Sequence, residues 1–299
     1  MSLISSILTL FFAECKTLGR RGYNDFFYSL RLFFGKKNFY KMQINFVLRK
    51  IANMKIIDSG ISSADENMRI DADLLDSLDP TGDPLLHLYR WKGLAATHGY
   101  FISPGRLVNL DKANAKNLSL ARRPTGGGVV FHIWDLAFSF LMPSSHPAFS
   151  LNTLENYRFV NQCVLEVMRR LYDLRDPIEL IAENARSLGP DCAHFCMAKP
   201  TQYDVVYKGM KIAGAAQRRR KQGYLHQGTI SLAFPDIELL KEILLTNEEV
   251  VQAMGAYTFA PLGRNSSESK LQEARCEIEA LLQEKFIEKL DEILYNRTV

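Results

Sequence analysis

Long apolar runs are missing from this 299-residue chain. The longest candidate, residues 3–12, falls short of the roughly 20 residues that span a bilayer, so firm membrane association is not expected. No basic residue precedes that run and no clear small-residue cleavage site follows it, which sets it apart from a secretory leader. Cysteine is sparse. Five residues at irregular spacing argue against a disulfide framework and for a reducing, cytoplasmic setting. Internal repeats and low-complexity tracts are absent, as are the P-loop G-x-x-x-x-G-K-[ST] and the Rossmann G-x-G-x-x-G.

What is present is globular. A 47% hydrophobic and 23% charged composition fits a folded domain with a substantial core. The net charge of +4 is unevenly placed, because nine of the 37 basic residues and only two of the 33 acidic ones precede residue 54. The remainder is mildly acidic, so the overall charge gives no reason to expect nucleic-acid binding. Residues 1–53 read as a basic extension outside the fold, and Met54 as a candidate start of a complete domain over 54–299.

From there the periodicity is orderly. MKIIDSG predicts a strand ending in a turn. Met68, Ala72, Leu75 and Leu78 recur at helical spacing up to a stop at residues 79–82. HLYRW reads as a strand. LAFSFLM alternates Leu136, Phe138 and Phe140 with Ala137, Ser139 and Leu141, the pattern of a half-buried strand. Asn152 and Glu155 predict a capping box opening a long amphipathic helix through Val160, Val164 and Met168. Residues 203–207 and 211–216 predict a hairpin turning at 208–210, with a third strand near 228–234. Leu271, Ala274, Ile278, Leu282, Phe286, Leu290 and Ile293 stripe a final helix. Clustered strands with helices between and after them predict an α+β domain with a mixed, largely antiparallel sheet flanked by helices.

Two stretches carry chemistry. In RRPTGGGVVFH (122–132), Gly126, Gly127 and Gly128 allow close backbone approach and positive φ, and their successive N–H groups can form an anion-binding concavity. Arg122 and Arg123 set guanidinium donors beside it, suited to phosphate or carboxylate. The alternative is simply a tight hairpin, and His132 alone reads as a hydrogen-bonded structural residue. In YDVVYKGMKIAGAAQRRRKQGYLHQGTISL (203–232), Lys211 begins an apolar strand while Gly214, Ala215 and Ala216 keep the facing wall low. Arg218, Arg219, Arg220 and Lys221 form either a solvated loop or a surface for an acidic partner.

Together these stretches resemble the lipoate–protein ligase and octanoyltransferase superfamily, related to biotin–protein ligases, from about residue 54 to the end. IDSG (57–60), Asn67-Met68 with Asp71 and Leu74-Leu75, GYF (99–101), RRPTGGGVVFH, GMKIAGAAQRR and HQGT (226–229) carry the likeness. It implies the biotin/lipoate ligase-like catalytic fold. It also implies that Arg123, Gly128, Val129, Val130 and Phe131 contact a nucleotide or acyl-adenylate, and that Lys211 contacts the reactive carbonyl and phosphate. His132, Asp204, Gly214 and His226, within the shared motifs, are candidates for the same site. Where ligases commonly have an aspartate after the histidine, this chain has Ile133, with Asp135 two residues on.

The superfamily reaches one product by two routes. Ligases activate lipoate with ATP and Mg²⁺, whereas octanoyltransferases pass an acyl group from acyl carrier protein through a cysteine thioester. CMAKPTQYD (196–204) resembles the cysteine element of one octanoyltransferase family, which would make Cys196 the nucleophile, with Lys211 favouring its thiolate. Read without the family, Cys196 is sooner a buried free thiol than a nucleophile. Gly128 completes the triple glycine of ligases, where those octanoyltransferases tend to carry arginine. The accessory C-terminal lobe of many ligases is not expected here. The leading expectation is a lipoate–protein ligase, with the Cys196 octanoyltransferase, or amide-to-amide transfer between carriers, as the alternative. In either case the acceptors would be apo lipoyl domains of 2-oxoacid dehydrogenase E2 subunits and the glycine cleavage H protein.

Overall fold

A computed structural model describes residues 53–296 except 173, 184–190, 235, 246–247 and 265; the basic stretch 1–52 lies outside the described residues. In chain order come β1 (Lys55–Ser62), α1 (Ala64–Asp76), β2 (Leu85–Trp91), β3 (Ala95–His98), α2 (Leu110–Ala115), β4 (Ser119–Arg122), β5 (Val129–Phe131) and β6 (Asp135–Pro143). Then follow α3 (Thr153–Leu171), β7 (Ile178–Leu180), β8 (Val205–Tyr207), β9 (Met210–Arg220), β10 (Gly223–Ser231), α4 (Ile237–Ile243), α5 (Glu248–Tyr257) and α6 (Glu268–Asn296).

Seven strands form one sheet in the order β1-β2-β6-β10-β9-β8-β7, and β4-β3-β5 form a second. Among the described strands, only β1–β2 and β3–β4 pair with each other in parallel. The α+β, largely antiparallel expectation therefore holds. One face of the large sheet packs on α3 and α6: Leu136, Phe138, Phe140 and Met142 of β6 meet Val160, Val164 and Met168 of α3 and Ile278, Leu282 and Phe286 of α6. The Phe140 and Phe286 rings stack with centroids 4.5 Å apart. Each such side chain stabilises the fold by about 1.5–3 kcal/mol through burial.

The opposite face is covered as well, and this corrects the half-buried reading of β6. All nine of its residues are buried. The alternation is real, but Asp135, Ala137 and Ser139 face an interior layer, where the two polar ones enter buried hydrogen-bond networks. The expected capping box is half made: Asn152 accepts from Leu154 N, while its own N–H donates to Ser150 Oγ rather than to Glu155. The first hairpin turns on Lys208 and Gly209, both left-handed at φ 52 and 74, the twist that a two-residue hairpin loop favours. β9 runs on through Arg218, Arg219 and Arg220, and β10 begins at Gly223, five residues before the expected third strand. Polar residues on the outer half of this hairpin hide its period from a search for apolar runs. Among the described residues no helix is long and apolar enough to cross a membrane.

Candidate active site

The glycine turn links β4 to β5, and Arg123, only 4% exposed, folds back over it. Its Nε and Nη2 donate to Gly126 O at 3.0 and 2.7 Å, and its Nη1 to Thr97 O and Oγ1 at 3.3 and 3.2 Å. All of its nitrogens work, so the guanidinium is fixed rather than tethered by one bond. Gly127 sits at φ +87, and a Cβ there would lie 2.8 Å from Arg123 Nη2 and 3.6 Å from Cys196 Sγ. At Gly128 a Cβ would come within 2.0 Å of His194 O. The glycines thus let a backbone approach closely, and that backbone is the protein's own: residues 194–196 lie flat against the turn, where Cys196 N donates to Val129 O at 3.2 Å.

Docked this way, the half-exposed Cys196 thiol faces a cation, with Arg123 Nη2 3.9 Å from Sγ. The resemblance gave that part to Lys211, and the structure distributes the roles differently. Lys211 Nζ donates to Cys196 O at 3.1 Å and pairs with Asp204 Oδ2 at 2.7 Å. Asp204 is aimed in turn by Thr201, whose N and Oγ1 donate to Oδ2 at 2.7 and 2.9 Å. Gly214 makes this possible, because a Cβ there would stand 2.3 Å from Nζ. Arg123, Cys196, Lys211 and Gly214 line one open cavity, whose other walls include Met68, Trp91, Val130 and Ala137. A charged end and an apolar body suit an acyl chain with a reactive head.

Other candidates fall elsewhere. Val130 lines the cavity, but Val129 and Phe131 point into the core behind the small sheet, as a strand's two-residue repeat requires. Arg122 turns outward and stacks on Tyr100. His226 is fully buried on the α3 side of β10, on the same face as Tyr224 and Ile230, where Gln217 Nε2 meets its Nδ1 at 2.8 Å. Burial pushes its pKa down to about 3. His132 borders the cavity as a structural member of a network: Nδ1 meets Asp135 Oδ2 at 2.7 Å, Nε2 meets Thr97 Oγ1 at 2.9 Å, and Trp91 stacks on the ring at 4.3 Å. The aspartate displaced to position 135 reaches the histidine all the same.

A second network was not foreseen. Ser59 Oγ meets His87 Nε2, and His87 Nδ1 meets Asp71 Oδ1, both at 2.8 Å. Asp71 Oδ2 accepts from Ser139 Oγ and Gln227 Nε2, and Thr125 of the glycine turn donates to Gln227 Oε1 at 2.6 Å. This chain braces the turn from beneath. Gln227 and Thr229 alternate with His226 along β10, and the shared HQGT stretch together with that alternation was the signal available for them.

A model of the lipoyl protein ligase A/B catalytic domain matches residues 63–269. The chain belongs to that family. Within the family, the octanoyltransferase LipM of Staphylococcus aureus is 31% identical over 196 residues, 65% of this chain and 71% of that one. LipM of Bacillus subtilis is 31% identical over 202 residues, 67% and 73% of the two chains. Among solved structures, a lipoate-protein ligase A bound with ATP superposes at TM-score 0.55 and 20% identity over 82% of this chain and 93% of that one. A bi-partite lipoate protein ligase from Thermoplasma acidophilum does so at 0.55 and 20%, over 82% and 91%. That likeness is one of fold. The protein is thus an enzyme of the lipoate ligase and octanoyltransferase family.

Proposed function

We propose that the enzyme is an octanoyltransferase that carries the acyl group on Cys196. This reverses the sequence-based preference for a ligase, and one observation carries the reversal. The space against Gly128, which the resemblance assigned to a nucleotide or adenylate, is occupied by the backbone of His194 and Phe195, and the Cys196 thiol stands beside Gly127. That packing takes up the room beside Gly128 that a nucleotide phosphate would otherwise have. Asp204, the carboxylate beside Lys211, is spent on the ammonium and on Thr201. The named LipM relatives, octanoyltransferases, support the same reading.

The donor is an octanoyl thioester of acyl carrier protein. The Cys196 thiolate attacks its carbonyl carbon, the carbon–sulfur bond to the donor breaks, and the donor thiolate leaves and takes up a proton. The ε-amine of a lipoyl-domain lysine then attacks the Cys196 thioester, loses a proton, and expels the Cys196 thiolate. Arg123 stabilises negative charge on the sulfur when it attacks and when it leaves. Lys211 holds the carbonyl of Cys196 and supplies positive potential where the tetrahedral oxyanion develops. The apolar walls take the acyl chain. The proposed acceptors are apo lipoyl domains of E2 subunits and the H protein.

The ligase reading keeps one feature in its favour, the triple glycine. The deciding experiment gives purified protein an apo lipoyl domain with either octanoyl-acyl carrier protein or lipoate plus Mg²⁺-ATP, and follows carrier mass. Transfer from the thioester without ATP, abolished by Cys196→Ser, is expected. Modification that needs ATP and survives Cys196→Ser would overturn the proposal.

A further inference from the structure

At the rim of the cavity, Arg122 and Arg218 both stack on the ring of Tyr100, their guanidinium carbons 4.8 and 4.7 Å from its centroid. Nearby basic residues are paired: Arg69 with Glu66 and Asp73, and Arg220 with Asp76 at 3.7 Å. Arg122 and Arg218 have no carboxylate at ion-pair distance among the described residues. Arg218 is held by a hydrogen bond to Pro124 O at 2.8 Å, so it is preset rather than free to swing away. Two unneutralised like charges against one ring repel each other until an anion joins them, and a guanidinium fork suits phosphate oxygens.

The surrounding shape points the same way. A trough runs beside Tyr100, Arg122, Arg218 and Arg220, and shares Met68 and Arg123 with the cavity that holds Cys196. Of its bordering carboxylates, Asp76 is turned to Arg220, and Asp65 stands at the start of α1. Arg122 and Arg123 are consecutive: Arg122 faces the trough and Arg123 borders both compartments, so the two meet at that residue. Tyr100 is 39% and its neighbour Phe101 89% exposed, leaving an aromatic edge open to a partner.

We propose that this trough binds the 4′-phosphopantetheine arm of the acyl donor. Arg122 and Arg218 grip its phosphate at Tyr100, and the arm passes Met68 and Arg123 to present the thioester to Cys196. The assignment rests on the octanoyltransferase reading and names the part of the donor that is recognised. It also explains why Arg122 leaves the glycine turn that its neighbour braces.

Calorimetry on full-length Cys196→Ser protein, which does not turn over, tests it with two thioesters differing only by the phosphate: octanoyl-4′-phosphopantetheine and octanoyl-pantetheine. The phosphate should tighten binding about tenfold, and Arg122→Gln/Arg218→Gln should erase that ratio. Equal affinities, or a ratio that survives the double change, would overturn the assignment. So would tighter binding of octanoyl-adenylate that is lost in the same variant, which would mark a nucleotide phosphate site. Arg122→Gln alone, at an exposed position, gives the same readout if the double variant folds poorly. Failure of Cys196 in wild-type protein to take an octanoyl group from either thioester would sink the transferase reading, while the affinity ratio still decides the trough.

Discussion

Lys211 is the residue on which most of the site's order converges. Lys211 is 7% exposed and its ammonium is bonded to Asp204, itself 2% exposed. Lys211→Ala should therefore act twice: acyl transfer should fall by roughly 10²–10³-fold through loss of fixed charge at the reacting carbonyl, and stability by about 3 kcal/mol because the Asp204 carboxylate is left buried and unpaired. Lys211→Met combined with Asp204→Leu should recover most of the stability and none of the activity, which urea titration and single-turnover mass spectrometry separate. Undiminished turnover in Lys211→Ala would remove the lysine from the site. The glycines give a sharper contrast. A Cβ at Gly126 meets nothing within 4 Å, whereas one at Gly128 meets His194 O at 2.0 Å. Gly126→Ala should stay within about 0.5 kcal/mol of wild type, while Gly128→Ala should displace the 194–196 segment and depress thioester formation at Cys196. Equal behaviour of the two would show that the close approach does not position the thiol.

At the scale of the element, the two-residue repeat explains both what the sequence revealed and what it hid. The lysine hairpin, the glycine turn and the two long helices were legible because apolar period and turn chemistry agree there. The site's polar floor was not, because HQGT marks Gln227 and Thr229 without naming their partners, and Thr97 carries no motif; they become partners only once the small sheet closes over the large one. His226 shows the reverse: a shared motif marked it, and strand alternation put it under α3. Its pKa, held near 3 by burial, sets a pH dependence whose sign follows directly. In the unfolded chain it takes up a proton near pH 6.5 and in the native state it does not, so stability is lost as pH falls below about 6.5. The slope from this residue approaches 1.4 kcal/mol per pH unit until about pH 3. His226→Asn should flatten that limb of the stability profile, measured by denaturant midpoints between pH 7.5 and 4.5. An unchanged slope would assign the acid sensitivity to other groups.

At the scale of the molecule, the site is a seam between two sheets, and each supplies half of it. The small sheet brings Arg123 and the glycine turn, and the large sheet brings Lys211 and Gly214. That joint is why fold class could be read from the clustering of elements while the cysteine's partner could not. The family match begins at residue 63, and the described site draws on nothing before Ser59. Protein lacking residues 1–52 is accordingly expected to transfer octanoate at an unaltered rate, and a loss of turnover with retained folding would give the basic stretch a part in catalysis.

The thiol reaches its working position almost entirely through main-chain contacts: Cys196 N on Val129 O, and His194 O over Gly128. The exposed side chains at 193 and 194 are under little obligation to be anything in particular, whereas Phe195, Met197 and Ala198 are tied to the core. Chains that seat this segment as closely should keep a bare α-carbon at 128, whereas octanoyltransferases with arginine there must hold their cysteine segment farther from the turn.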